Sequence, residues 1–214
     1  AAGKAHLAAV YFRDTRTGWA LLLGDSVSLA ATADAGMSWR VQPLPAALTA
    51  AVQRAKAVHL VALSAAEGFF AADLAQSSNF SRGALWYTAD GGVSWQERSL
   101  PLGEAPQFVD PNTGWVAGGP AGDELWRTED GGVTWAAQAL PFTVSEDERV
   151  QVYTPIFTAD GQAAVLPLLV RGEMGQKGAW WDLREVPTSA RSPLPASLDA
   201  RAALQQVECC QNYF

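Results

Sequence analysis

The sequence predicts an all-β chain assembled from repeated four-stranded antiparallel units, and three recurring features predict it. The first is a box, Thr-x-Asp-x-Gly-x-Ser/Thr-Trp, read as TADAGMSW, TADGGVSW and TEDGGVTW, with its Trp at positions 39, 95 and 135. The second is a glycine marker, Gly18-Trp19, Gly68-Phe69 and Gly114-Trp115, with Gly161 in the same place further on. These glycines step by 50, 46 and 47 residues. The third is a closing pair, Leu44-Pro45, Leu100-Pro101, Leu140-Pro141 and Leu194-Pro195, whose first three prolines lie six residues after the box Trp.

Within one period the elements follow in order. In the third unit the runs PQFVD, GWVAGG, ELWRTED and TWAAQAL are short, apolar or alternating, and separated by turn residues, which is the strand pattern. Four antiparallel strands per repeat, at this period and with a Trp signature, predict a β-propeller blade. The blades are expected at residues 5–45, 57–101, 105–141 and 150–195 of a single domain covering 1–214. The fourth box should fall near residue 189, where the sequence has drifted to REVPTSARSP, while GAWWDL keeps a likeness to GALWYT of the second unit. Residues 196–214, with LQQVECCQNYF, read as the start of a further blade, so the expected architecture is a partial or open propeller. AALTAAVQRAKAV has helix-forming composition and is expected as a short helix or loop between the first two blades.

The box has a physical reading as a clip. In TADGGVSW the Asp90 carboxylate suits turn N–H groups, Thr88 suits a side-chain-to-backbone bond, and Gly91 and Gly92 permit the positive φ of a tight connection. Trp95 then opens the last strand and covers apolar area, worth roughly 2 to 3 kcal/mol if fully buried. Thr32, Asp34, Gly36 and Trp39 repeat these roles in the first unit, and Thr128, Asp130, Gly132 and Trp135 in the third, beside Thr88, Asp90, Gly92 and Trp95 in the second. Eight of the nine tryptophans fall at repeat-defined positions, Trp180 being the exception. The rival reading is three calcium or sugar sites built on Asp34, Asp90 and Asp130, and one carboxylate per turn falls far short of the six to eight oxygens calcium takes.

Composition narrows the function. A formal charge of -7 disfavours nucleic acid, which requires clustered cations. The longest apolar run, around Ala163 to Val170, contains Pro167 and is too short to span a membrane. The first residues, AAGK, lack the features of a signal peptide. The only cysteines, Cys209 and Cys210, are adjacent, so neither a disulfide framework nor a zinc site is expected. His6 and His59 each lie in an apolar strand-like run and read as strand residues near the core. There is no Gly-x-Ser-x-Gly, phosphate loop or His-Glu-x-x-His, and no metal or cofactor is expected.

The three boxes resemble the Asp-box, or BNR repeat, of sialidases, sortilin-type receptors, xyloglucanases and the photosystem II assembly and stability factors. With the aromatic-Asp segment and Gly-Trp marker ahead of each box, the pattern over about residues 5–195 is most similar to the last group and its relatives. A sialidase would show a Phe/Tyr-Arg-Ile-Pro segment, whereas this chain has YFRDT, with Asp14 after Arg13. The resemblance implies an extracytoplasmic binding scaffold, periplasmic, lumenal or secreted.

Propeller topology places the loops joining second to third strands, and each fourth strand to the next blade, on one face, with the boxes on the other. Loops on a rigid scaffold are where recognition concentrates. The loop face therefore takes residues 72–83, 118–124, 142–149 and 171–178, with Asn79, Phe80 and Arg82, then Asp123 and Glu124, then Glu148 and Arg149, and finally Arg171, Glu173 and Lys177 as candidate partner contacts. Asn79-Phe80-Ser81 also fits a glycosylation acceptor. The expected function is a non-catalytic scaffold recognising a protein or peptide. The alternative is a glycan-binding protein or glycoside hydrolase, which would need an aromatic cleft with two carboxylates about 5 to 10 Å apart. An open arc also exposes strand edges that favour self-association. Replacing Trp95 or Trp135 by Ala is expected to cost about 3 to 5 kcal/mol if the rings are fully buried.

Overall fold

The computed structural model describes residues 5–76, 80–140, 148–157, 164–172 and 175–182. The runs with β-branched, Leu and aromatic residues on alternate positions become strands, as predicted, and the strands form four antiparallel sheets. The first holds β1 (His6–Phe12), β2 (Gly18–Leu23), β3 (Val27–Thr32) and β4 (Arg40–Pro43) in sequential order. The second holds β5 (Ala57–Ala62), β6 (Gly68–Gln76), β7 (Ser81–Thr88) and β8 (Gln96–Arg98), and the third β9 (Gln107–Phe108), β10 (Gly114–Gly118), β11 (Glu124–Thr128) and β12 (Ala136–Ala137).

The fourth sheet departs from this plan. β13 (Arg149–Val152) and β14 (Ile156–Phe157) pair with the same edge of β15 (Ala164–Gly172), and β16 (Gly175–Asp182) takes the other edge. β13 and β14 are thus two halves of one first strand, interrupted where Pro155 has no N–H to give the ladder. The drifted box near residue 189, residues 196–214 and both cysteines lie outside the described residues.

Between the first two sheets runs α1 (Ala46–Arg54), the helix that composition favours. It starts directly after Pro45, presses Leu48 and Ala51 into the core, and ends with Arg54 in its last turn, where a cation suits the helix dipole.

The glycine marker has the same register in three sheets. Gly18, Gly68 and Gly114 stand opposite Thr32, Thr88 and Thr128 on one side and Phe12, Ala62 and Phe108 on the other. What these positions require is space. A Cβ on Gly18 or Gly114 would sit 2.6 or 2.5 Å from the Phe12 or Phe108 ring. On Gly68 it would meet the Trp19 ring of the preceding sheet at 2.7 Å.

Each sheet has two faces set by strand alternation. The leading face carries residues in phase with the marker glycine, and the trailing face carries the aromatic beside it. Three apolar clusters join the trailing face of one sheet to the leading face of the next. Trp19, Leu21 and Leu29 pack with Leu60, Phe70 and Trp86. Phe69 and Leu85 pack with Phe108 and Val116. Trp115 and Leu125 pack with Val152, Leu166 and Leu168. The Leu of the first three closing pairs joins the same clusters, Leu44 the first, Leu100 the second and Leu140 the third, while Leu194-Pro195 lies outside the described residues. Between sheets, β5 approaches β1 and β2, and β13 approaches β10, so the inner strands of neighbouring sheets meet and the sheets fan out as blades of an open propeller.

Two expectations change. His6 is exposed on β1, where the edge strand passes beyond the core, whereas His59 is half-buried. The box rings are not fully buried: Trp95 and Trp135 are half-buried, and Trp39 is 38% exposed. Trp95 and Trp135 lean on the blade ahead of their own. Trp95 meets Trp19 edge-on at 6.3 Å, while Trp39 has only Phe12 of its own sheet at 6.1 Å. The cost of full burial is therefore too large a figure. Trp95→Ala is expected to lower the unfolding free energy by about 2 to 3 kcal/mol and Trp39→Ala by about 1 kcal/mol. Urea midpoints check this, and equal losses at both positions would contradict the dependence on the preceding blade.

Candidate functional site

The three Thr-Asp turns share one geometry. Thr88 Oγ1 donates to Asp90 Oδ1 at 2.8 Å and accepts from the Gly92 N–H at 3.0 Å. Asp90 then accepts the Ser94 N–H at 2.9 Å and the Ser94 hydroxyl at 2.6 Å. Thr32, Asp34, Gly36 and Ser38 repeat the pattern, as do Thr128, Asp130, Gly132 and Thr134. The three threonines are buried, and their hydroxyls are satisfied by these bonds. Trp39 and Trp95 donate Nε1–H to the carbonyls of Gly36 and Gly92 at 3.1 Å, whereas Trp135 donates to Ser99 of the preceding blade at 2.8 Å.

These bonds act on the carboxylates. The serine hydroxyl, then the serine N–H, then the threonine hydroxyl hold Asp34 and Asp90 down to about 2, from an ordinary 3.8. Asp130 is lowered in the same way, by Thr134 first. Each carboxylate is engaged within its own turn. Gly91, Gly92, Gly131 and Gly132 adopt positive φ, and in the first turn Ala35 is forced to φ 63°. Elsewhere, burial lowers His59, opposed by Asp73. Burial and a 2.5 Å bond to Glu67 push Tyr87 up to about 12.

On the loop face the ladders run further than the apolar pattern indicates, because backbone pairing needs no apolar side chain. Arg82 lies on β7 opposite Ala75, Glu124 on β11 opposite Gly118, and Lys177 on β16 opposite Val170. Arg149 and Arg171 are not loop residues either: they stand directly opposite each other on β13 and β15, both exposed. Glu148 lies against Gly172, so Glu148, Arg149 and Arg171 gather at one end of the fourth blade. Phe80 is exposed, Asp123 sits in the turn before β11, and Glu124 accepts the Trp126 indole N–H at 2.8 Å. Asn79 and Glu173 lie outside the described residues.

Sequence reasoning did not find the crevice between the first strands of the third and fourth blades. It has a volume of about 280 Å³ and is lined by Ala105, Pro106, Gln107, Thr154, Pro155, Ile156 and Phe157. Short β9 and the break between β13 and β14 open it, and the Thr154 hydroxyl bridges it by donating to the Ala105 carbonyl at 2.9 Å. The signal available was a proline on each wall, Pro106 and Pro155, where the first two blades have unbroken first strands. The lining is apolar with one amide and one hydroxyl, suited to hold an extended segment by shape and a few hydrogen bonds.

The chain is an all-β array of four blades joined through successive shared cores, an open propeller. Among solved structures it is similar to YCF48 bound to D1 peptide, at 16% identity and TM-score 0.41, over 85% of this chain and 70% of that one. It is similar to YCF48 from Cyanidioschyzon merolae at 18% identity and TM-score 0.43, over 85% and 59% of the two chains. An ancestral GH74 enzyme is similar at 10% identity and TM-score 0.44, over 83% of this chain and 25% of that one. The chain thus spans less than two thirds of the length of the second and third. No family model and no curated protein matches it.

Two outcomes follow from the turns. A carboxylate whose folded value is depressed contributes stability that is complete above its unfolded value and lost as pH falls through the folded one. Thermal midpoints should therefore hold above the ordinary 3.8 and drop between there and about 2, and Asp34→Asn with Asp90→Asn should flatten that drop. Ala35→Gly should stabilise by up to about 1 kcal/mol in urea unfolding, since it relieves a left-handed alanine.

Proposed function

We infer that the chain is a non-catalytic Asp-box scaffold that binds an extended segment of a protein partner through the loop face and through the crevice between the first strands of the third and fourth blades, in an extracytoplasmic compartment. The supporting observation is the lining of that crevice. Ala105, Pro106, Pro155, Ile156 and Phe157 supply apolar walls, and Gln107 and Thr154 supply the polar atoms that would fix register. General acid–base hydrolysis of a glycoside would call for two facing carboxylates, and this lining has none. The turn carboxylates are engaged in their own turns. Among the described residues no helix is long and apolar enough to cross a membrane.

The test is selection from a displayed random peptide library, followed by fluorescence polarisation of the enriched sequences. Wild type should enrich apolar or proline-containing sequences, and Ile156→Lys should weaken binding at least about tenfold, because a cation would be desolvated in an apolar wall. Failure to enrich any sequence, or hydrolysis of a xyloglucan or sialyl-oligosaccharide substrate, would overturn the assignment.

A further inference from the structure

We propose that Glu104 is a positioning residue for the crevice between the third and fourth blades, holding its two walls at the spacing that admits a segment; the inference rests on the reading of that crevice as a binding site. Glu104 lies in the link between the second and third blades and is half-buried. The Asp34, Asp90 and Asp130 carboxylates bond within their own turns, whereas Glu104 bonds outward on both sides. One of its oxygens accepts the Ser81 hydroxyl of β7 at 3.1 Å, and the other accepts the Gly119 N–H of the third blade at 3.3 Å. Ser81 is fixed in turn by the Gly103 N–H, which donates to its hydroxyl oxygen at 2.7 Å. A Cβ on Gly118 would sit 2.9 Å from the Glu104 side chain, so β10 ends in a glycine where the carboxylate reaches it. Hydrogen bonds to an ionised acceptor are about twice as strong as neutral ones.

From Gly119 the bonds continue to the far wall. The Gly122 N–H donates to the Gly119 carbonyl at 3.1 Å, and the Gly122 carbonyl accepts the Val152 N–H of β13 at 2.7 Å. Two residues on, the Thr154 hydroxyl donates back to the Ala105 carbonyl at 2.9 Å, and Ala105 follows Glu104 in the chain. The circuit through Glu104, Gly119, Gly122, Val152, Thr154 and Ala105 is therefore closed, and Ala105 and Thr154 are themselves lining residues of the crevice. The walls depend on such a tie because Pro106 and Pro155 carry no N–H with which to bond across. Removing the carboxylate frees the turn after β10, and with it the edge of β13 that the turn holds. Glu104 is not a lining residue, so it acts on a bound segment through the spacing it sets, and walls already in place lower the ordering cost of binding.

Amide exchange of the full chain, followed residue by residue by NMR, and fluorescence polarisation of library-selected peptides test this together. Glu104→Ala should speed exchange of the Val152 amide at least about tenfold and weaken peptide binding at least about tenfold, while amides of β2 in the first blade keep their wild-type rates. Glu104→Gln should restore most of both losses, because its amide oxygen can accept the Gly119 N–H and its amide nitrogen can donate to Ser81. Combining Glu104→Ala with Thr154→Ala should weaken binding by less than the product of the two single effects, as members of one circuit do. Three results would each overturn the proposal: an unchanged Val152 amide in Glu104→Ala, exchange raised equally in all blades, or wild-type peptide affinity despite a faster Val152 amide. Failure of wild type to enrich any peptide would overturn the reading on which the proposal rests, and the proposal with it; the two failures are told apart because this one is seen before any variant is made.

Discussion

The contact on which the architecture depends is an aromatic side chain of one blade lying on the leading face of the next. Trp19 fills the space above Gly68, Phe69 stacks on Phe108 at 3.6 Å, and Trp115 meets Phe157 at 4.9 Å. Aromatic pairs add roughly 0.5 to 1.5 kcal/mol beyond the area they bury. The greater effect is geometric. Each pair sets the spacing and tilt of two sheets at the strand that carries the glycine, and the fan follows from repeating that contact.

The Thr-Asp turns serve the same contact from the rim. Their hydrogen bonds hold the last strand of each blade against the third, and they also reach across blades. Arg40 donates to the carbonyls of Asp90 and Gly91 at 3.2 Å, and the Ser99 N–H donates to Gly132. The turn is thus both a clip within one blade and an acceptor for its neighbour. A carboxylate already held by a hydroxyl and an N–H is poorly placed for further chemistry.

The repeat was legible because its markers answer to local requirements. A glycine under an aromatic ring, a threonine paired to an aspartate and a leucine entering the next core each leave a residue type at a fixed interval. The crevice and the Arg149–Arg171 pair were not legible, because they depend on where a ladder breaks and on cross-strand register, which a linear pattern does not carry. Trp39 shows the limit most clearly. Its box matches the other two residue for residue at the Thr, Asp, Gly and Trp positions, and its greater exposure comes from its place in the series.

Because each blade shares a core only with its neighbours, the array approximates a one-dimensional chain of coupled units. Among the described blades the second shares a core on both sides and the first on one, so amide protons on β6 and β7 should exchange more slowly than those on β1.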